Sequence, residues 1–305
     1  MIVTVTPNPA WDVTIEAPRV VHGATNVVAP ARRRAGGKGI NVARVLASRG
    51  VSVVAVAPVG TDDTDAFQVD LATVPHRLVG CAARTRSTYA IVESDSGVTT
   101  MITERGRAHR AGEWDLLHAV VREQLIQGSC LVVSGSLPPE SPTGSASAFV
   151  SAAHDAGSPV IADLAGAHLL EAAKAGADVL KPNRDELQDA VGTADPLAGA
   201  RALQDLGAGV VVVSLGADGL VVVPRTASDD VWRARTAGVL TGNPAGAGDA
   251  AVAAIACLIS AGVHDPAIWA HDAAAWAAAA VLAPLAGELS AQSETSQLEI
   301  VLSEY

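Results

Sequence analysis

Aromatic side chains make up only 3% of this 305-residue chain, with two Phe and two Tyr, so alanine and valine have to fill the interior. Cysteine is scarce as well. Cys81, Cys130 and Cys257 lie far apart and fit no zinc or disulfide spacing; an odd count without a secretion signal points to reduced thiols in a cytoplasm. The eight histidines form no ligand cluster along the sequence. Basic residues are outnumbered, 21 Lys and Arg against 32 Asp and Glu, which leaves a net charge of −11. That balance argues against nucleic acid and anionic membrane as main partners. It leaves a small anionic ligand open, because such a ligand senses local charge only. Long apolar runs are missing too: 250–263 ends in His264-Asp265 and 273–286 contains Pro284, both too short for a bilayer. The opening Met1–Thr6 reads as a strand with no basic n-region before it.

What remains is a folded globular composition, 49% hydrophobic and 17% charged, in a chain near the upper size for one continuous core. Short β-branched runs alternate with helical patterns. Strands are expected at 2–6, 53–57, 131–134, 159–163, 178–180, 210–215 and 220–223. Helices are expected at 39–49, 113–127, 143–156, 167–175, 184–191, 196–206, 249–262 and 266–283. Continuous apolar strands separated by helices imply an α/β fold, a doubly wound, mostly parallel sheet with helices on both faces. Polar residues recur just after strands, at Asn8, Gly60, Ser134-Gly135-Ser136, Asp163, Asn183 and Ser214-Leu215-Gly216. Such carboxyl ends are where open α/β sheets bind ligands. Two stretches, 11–35 and 82–104, show alternation without helices and read as antiparallel strands outside the main sheet. Their natural use is a small β-sheet lid inserted in a single domain of residues 1–305; an edge extension is the plainer reading. Beyond the polar segment Ser290–Ser296 there is no repeat, linker or low-complexity tail.

The densest signal is Gly242-Asn-Pro-Ala-Gly246-Ala247-Gly248-Asp249-Ala250, a glycine-rich turn running into an alanine-rich helix. A helix start offers unpaired N–H groups and the positive end of a dipole, and glycines let a phosphate come close. An aspartate placed there is repelled by that anion, so it needs its own reason. Taking the proton from a hydroxyl that attacks the phosphate is one; capping the helix is the other. The stretch also formally matches G-x-G-x-x-A, but it is followed only by helical sequence, which argues against a dinucleotide site.

Further motifs occur in order: Thr6-Pro-Asn8-Pro-Ala-Trp-Asp12, Gly36-Gly37-Lys38-Gly39-Ile-Asn41-Val-Ala-Arg44, Ser134-Gly-Ser136-Leu-Pro-Pro, Lys181-Pro-Asn183-Arg-Asp-Glu186-Leu, Ser214-Leu-Gly216-Ala-Asp-Gly219, and Gly246-Ala-Gly248-Asp249. Together they resemble the ribokinase-like PfkB sugar kinase family, within it the 1-phosphofructokinase/tagatose-6-phosphate kinase branch, over residues 1 to about 290. The resemblance implies transfer of the ATP γ-phosphate to a sugar hydroxyl. It implies Asp249 as general base and an anion hole of backbone N–H groups from Ala245 through Gly246, Ala247 and Gly248. Asp12, Gly36, Gly37 and Asn41 would meet the sugar. Arg86, Ser136 and Lys38 would hold a substrate phosphate. Lys181, Asn183, Ser214, Gly216 and Gly219 would line the nucleotide, and Asn183 and Glu186 would stand near Mg2+ through water. Ala274 and Ala278 would flank adenine. Plainer readings stay open: a turn aspartate for Asp12, solvent-facing lysines for Lys38 and Lys181, and a decorated helix start for Asn183 and Glu186.

Two departures weaken the phosphosugar expectation. Gly23-Ala-Thr-Asn26 is followed by Val27 where the branch carries a basic residue, and Thr103-Glu104-Arg105-Gly106-Arg107 replaces its Asn-rich Pro-Gly element. Arg32-Arg33-Arg34 adds charge, as a phosphate contact or as a solvated lid edge. A phosphorylated ketohexose is the expected substrate. The alternatives are an unphosphorylated sugar, a nucleoside, or a non-catalytic sugar sensor. The resemblance also implies a possible homodimer paired through the lid.

Overall fold

The strand Ile2–Val5 (β1) is buried along its whole length and anchors the main sheet. On one side it pairs in parallel with Val53–Gly60 (β4), on the other with Cys130–Ser134 (β8). Chain order therefore reverses across β1, and the crevice at its carboxyl end is a topological switch point. The computed structural model describes residues 1–226, 230–238, 240, 242–290 and 299–305.

Outward from β4 lies His76–Cys81 (β5). Outward from β8 come Val160–Asp163 (β9), Val179–Leu180 (β10) and Val210–Ser214 (β11), all parallel. Three antiparallel strands extend that edge: Leu220–Val223 (β12), Trp232–Thr236 (β13) and Ile300–Glu304 (β14). The expected parallel sheet is thus correct in its centre and mixed at its far edge. Successive residues of β1 and β4 point to opposite faces, as the period of two requires. Ile2, Val53 and Ala55 enter one core; Val3, Val5, Val54 and Val56 enter the other.

The first core packs under Lys38–Ser48 (α1), Thr64–Asp70 (α2), Ala247–Ser260 (α8) and Pro266–Val281 (α9). The second packs under Ala111–Gln124 (α3), Ser145–Asp155 (α4), Gly166–Lys174 (α5), Arg184–Val191 (α6) and Pro196–Leu206 (α7). Alanines on α8 and α9 are buried against each other, which lets small side chains close the core where aromatics are few. Ala274 and Ala278, expected beside adenine, are buried on α9, Ala274 within the first core. No helix among the described residues is long and apolar enough to cross a membrane.

The stretches 11–35 and 82–104 do form a separate four-stranded sheet, in the order Arg32–Gly36 (β3), Ala10–Ala17 (β2), Arg86–Glu93 (β6), Thr99–Thr103 (β7). Its outer pairs are antiparallel as expected, but the central pair β2–β6 is parallel. The reason is that two hairpins, distant in sequence, meet along their first strands. In this seam Ala10, Asp12 and Thr14 stand opposite Arg86, Thr88 and Ala90. Of the polar segment 290–296, only Ser290 lies within the described residues.

Candidate active site

The small sheet stands over the carboxyl ends of β1, β8 and β9, and between them opens a cavity of about 450 Å3. That volume suits a small metabolite rather than a macromolecule.

Asp249 lies in the first turn of α8 and is 5% exposed. Its side chain caps no helix N–H; Oδ2 instead accepts from Asn41 Nδ2 of α1 at 3.0 Å, and the carboxylate faces the cavity. Burial raises its pKa from the ordinary 3.8 to about 7, against the pull of the Lys38 ammonium. The turn before it is shaped by Gly246, whose φ of 90° lies in the left-handed region.

The expected row of four amide donors is shorter in the structure. Ala245 N–H donates to Asn243 Oδ1 at 3.0 Å, and Ala247 N–H donates to the Pro244 carbonyl at 3.2 Å. The tight turn consumes these two. Gly246, Gly248 and Asp249 N–H have no partner among the described residues. Lys181 reaches the same place: a Cβ built at Gly248 would stand 3.5 Å from its Nζ.

Beneath the cavity floor, β9 ends in Asp163, which is fully buried. Its Oδ2 accepts from Ser134 Oγ at 2.8 Å; Lys181 Nζ lies 3.2 Å from Oδ1 and Lys38 Nζ 3.3 Å from Oδ2. Burial pushes this carboxyl up, but the two ammonium groups and the hydroxyl outweigh it and hold it below its ordinary value. Reciprocally, Asp163, then Glu186 and Asp249, raise Lys38 above the usual lysine range despite its burial. Lys181 is buried and so is not the solvent-facing side chain of the plainer reading; Lys38 keeps 41% of its side-chain surface exposed but turns its ammonium to Asp163 at the cavity. The sequence marked Asp163 only as a residue after a strand and gave it no role. Its place just after a strand was the one sequence signal; that two of the chain's three lysines meet this carboxylate shows only in the fold.

On the small-sheet side, Asp12 Oδ1 accepts from Thr88 Oγ1 at 2.6 Å, and Gly37 N–H points to Oδ2 at 3.4 Å. Gly36 does not line the cavity; a Cβ there would overlap the Asp12 carboxylate, so this glycine makes room for the aspartate. Arg86 spends three of its five N–H donors on backbone carbonyls, two on Asn8 and one on Glu104, and lines the cavity with the rest. Ser136 lies within 3.4 Å of Asn8 Nδ2. The arginine triplet divides. Arg32 pairs with Glu16, Arg33 stacks 3.7 Å over the Trp11 ring, and Arg34 faces the cavity, held by Glu288 Oε1 at 2.9 Å. Arg34 was not singled out because the sequence does not say which of three neighbours points inward.

Asn183 and Glu186 form a reciprocal capping box at the start of α6. Asn183 Oδ1 accepts from Glu186 N–H at 2.8 Å and Glu186 Oε2 from Asn183 N–H at 2.9 Å. Asn183 is thus committed to its helix and does not line the cavity. Glu186 does, with Oε1 3.8 Å from Lys38 Nζ. Ser214, Gly216 and Gly219 lie beyond the cavity at the end of β11, joined to Asn183 by a bridge at Ser214. Space beside Gly216 is open, whereas a Cβ on Gly219 would overlap the Ala234 carbonyl, so Gly219 is required by packing.

Residues 8–292 match the family described as pfkB family carbohydrate kinase. The 1-phosphofructokinase of Xanthomonas campestris pv. campestris is 36% identical over 278 residues, 84% of this chain and 83% of that protein. That of Escherichia coli K12 is 31% identical over 258 residues, 82% and 81% of the two chains. Among solved structures, phosphofructokinase-2 from Escherichia coli in complex with fructose-6-phosphate superposes with a TM-score of 0.82 at 27% identity, covering 97% of each chain.

Proposed function

The chain belongs to the pfkB family of carbohydrate kinases, and from that premise we propose that it phosphorylates a hydroxyl of a phosphorylated ketohexose with ATP as donor. One observation carries the reading: a buried carboxylate with a pKa of about 7 stands beside free helix amides in a cavity lined by Arg34, Lys38, Arg86 and Lys181. The chain is acidic and the cavity also holds Asp12, Asp163, Glu186 and Asp249, yet it gathers two of the chain's three lysines and two arginines, donors that suit a ligand with more than one phosphate.

In this reading Asp249 takes the proton of the attacking hydroxyl, and a base poised near neutral pH is suited to that step. Asn41 holds Oδ2, which fixes the carboxylate's direction. The N–H groups of Gly246 and Gly248 at the start of α8, with Lys181, receive the negative charge of the transferred phosphoryl oxygens; a single such donor is worth roughly 3 kcal/mol. Asp12 accepts from sugar hydroxyls. Arg86, Arg34, Ser136 and Lys38 hold the substrate's own phosphate. Lys181, Ser214, Gly216 and Gly219 mark the path of the nucleotide. ATP supplies the phosphoryl group, and Mg2+ neutralises its oxygens when bound. The donor set fits that ion only loosely: of the capping box only Glu186 Oε1 is left to face the cavity, and a cation that retains much of its water can be held through that water.

One observation favours an unphosphorylated sugar instead, namely that Arg86 already spends three donors on the backbone. A coupled assay of fructose-1-phosphate, fructose-6-phosphate, tagatose-6-phosphate and free ketoses separates the two. We expect kcat/KM at least about tenfold higher for one phosphorylated sugar. Equal values for a ketose and its phosphates would favour the second reading, and no ATP consumption with any sugar would leave only a non-catalytic sensor. We also read exposed Val27, Val98 and Ile102 as a surface for pairing two copies; sedimentation at the mass of one chain would remove that reading.

A further inference from the structure

Away from the cavity, the fold brings three metal-ligating side chains to one point. Cys81 ends β5, His109 lies between β7 and α3, and Glu113 occupies the first turn of α3. The thiol sulfur, one ring nitrogen and one carboxylate oxygen all lie within 4.8 Å of one another. This corrects the expectation that the cysteines and histidines form no cluster. The spacing 81, 109, 113 matches no linear pattern, because a sheet edge, a loop and a helix start supply one group each.

Contacts hold the three groups in place and leave each ligating atom a lone pair: the Cys81 thiol donates only weakly to the Val79 carbonyl at 3.7 Å, and each Glu113 oxygen accepts a single backbone N–H. His109 is 9% exposed, and its Nε2 lies 3.3 Å from the Pro7 carbonyl. A carbonyl only accepts, so the ring proton sits on Nε2 and Nδ1 carries a lone pair. That Nδ1 is buried and has no hydrogen-bond partner. It stands 4.0 Å from Glu113 Oε2. Glu113 is fixed by two backbone bonds of 2.7 Å, Ala82 N–H to Oε1 and Arg110 N–H to Oε2. Cys81 is 1% exposed, and burial together with Glu113 pushes its thiol up to about 12.

We propose that Cys81, His109 and Glu113 bind one divalent transition-metal cation of the zinc class, with water as the fourth ligand. A thiolate, an imidazole and a carboxylate are a zinc-type donor set; a hard ion such as Mg2+ takes oxygens instead. The Pro7 carbonyl on Nε2–H is the outer partner that orients a metal-bound histidine. At bond lengths of about 2.0–2.1 Å, tetrahedral geometry sets the nitrogen–oxygen separation near 3.4 Å, a modest closure from the observed distance. Binding converts the thiol to thiolate and releases one proton to water for each ion bound. The cation would fasten the segment 104–110 to β5 and α3. That segment also carries the Glu104 carbonyl that Arg86 grips, so the staple lies behind the substrate-facing side of the small sheet.

The test uses the full-length chain without an affinity tag, stripped with chelator and titrated with Co2+. One equivalent should bind with a thiolate-to-cobalt charge-transfer absorption, and Zn2+ should displace it. Cys81→Ser should abolish the band, Cys257→Ser should keep it, and His109→Gln should weaken binding at least about tenfold. Circular dichroism without metal shows whether each variant is folded; if His109→Gln is not, Glu113→Gln gives the same readout. No saturable band in the parent, a band that survives Cys81→Ser, or unchanged affinity in the folded His109 or Glu113 variant would overturn the proposal.

Discussion

Replacing Asp249 by Asn separates stability from chemistry at one atom. Burial raises this carboxyl from 3.8 to about 7, although Lys38 pulls it down. The folded protein therefore prefers the protonated acid. The stability that this group contributes is fully present below about pH 3.8 and is lost as pH rises through about 7. The shift corresponds to about 4 kcal/mol, at 1.36 kcal/mol per unit. Asparagine has nearly the shape of the protonated acid, keeps an oxygen for Asn41 Nδ2 and never ionises. Asp249→Asn should therefore be more stable than the parent at pH 8, by up to about 4 kcal/mol, with the gain shrinking towards pH 4. Turnover should fall at least about 10²-fold while sugar and nucleotide still bind. Urea unfolding from pH 5 to 8, paired with a coupled assay, measures both. A stability difference that does not change with pH would refute the burial argument, and near-normal turnover would remove Asp249 from the mechanism.

Three further predictions follow from the same geometry. With Asp249 as base, kcat/KM should rise with pH through about 7, and Lys38→Met should move that limb to higher pH, because removing a cation raises the carboxyl further; a limb moving to lower pH would refute the coupling. Gly36→Ala should force Asp12 out of its place, raising the KM for sugar while leaving that for ATP nearly unchanged, at a cost of about 1–3 kcal/mol in thermal unfolding. An unaltered sugar KM would show that Asp12 does not meet the substrate. Arg86→Ala should raise KM chiefly for phosphorylated sugars, and an equal effect on free ketoses would exclude a phosphate contact.

The centre of the fold was legible because its strands are continuous apolar runs, several of its helices carry an amphipathic stripe, and α8 and α9 are long alanine-rich runs. The helix 196–206 was placed to the residue, with Asp195 as its cap and Pro196 at its first position. The elements that were missed lack those signals. In β5 only Val79 and Cys81 are buried, α2 has seven residues and one buried side chain, and β13 and β14 lie at the antiparallel edge. The cavity side chains Asp12, Lys38, Asn41, Arg86 and Asp249 were readable as motif residues. What motifs do not carry is direction. Whether Asn183 reaches a ligand or caps its own helix, and whether Ala247 offers its N–H or spends it on Pro244, depends on turn geometry. Nor does a motif reveal partners far away in the chain, which is why Asp163 between its two lysines stayed hidden.

The parallel seam between β2 and β6 carries a constraint on how such a scaffold can diversify. The side chains of Asp12, Arg86 and Thr88 reach the cavity at every second position, so a slip of one position would present Trp11, Ser87 and Tyr89 in their place. Length changes near the roots of these strands are therefore all-or-nothing. The distal tips at 18–31 and 94–98 can grow or shrink without touching the alignment. New substrate preferences in this architecture are reached by point exchanges at every second position, or by remodelling the far ends of the two hairpins.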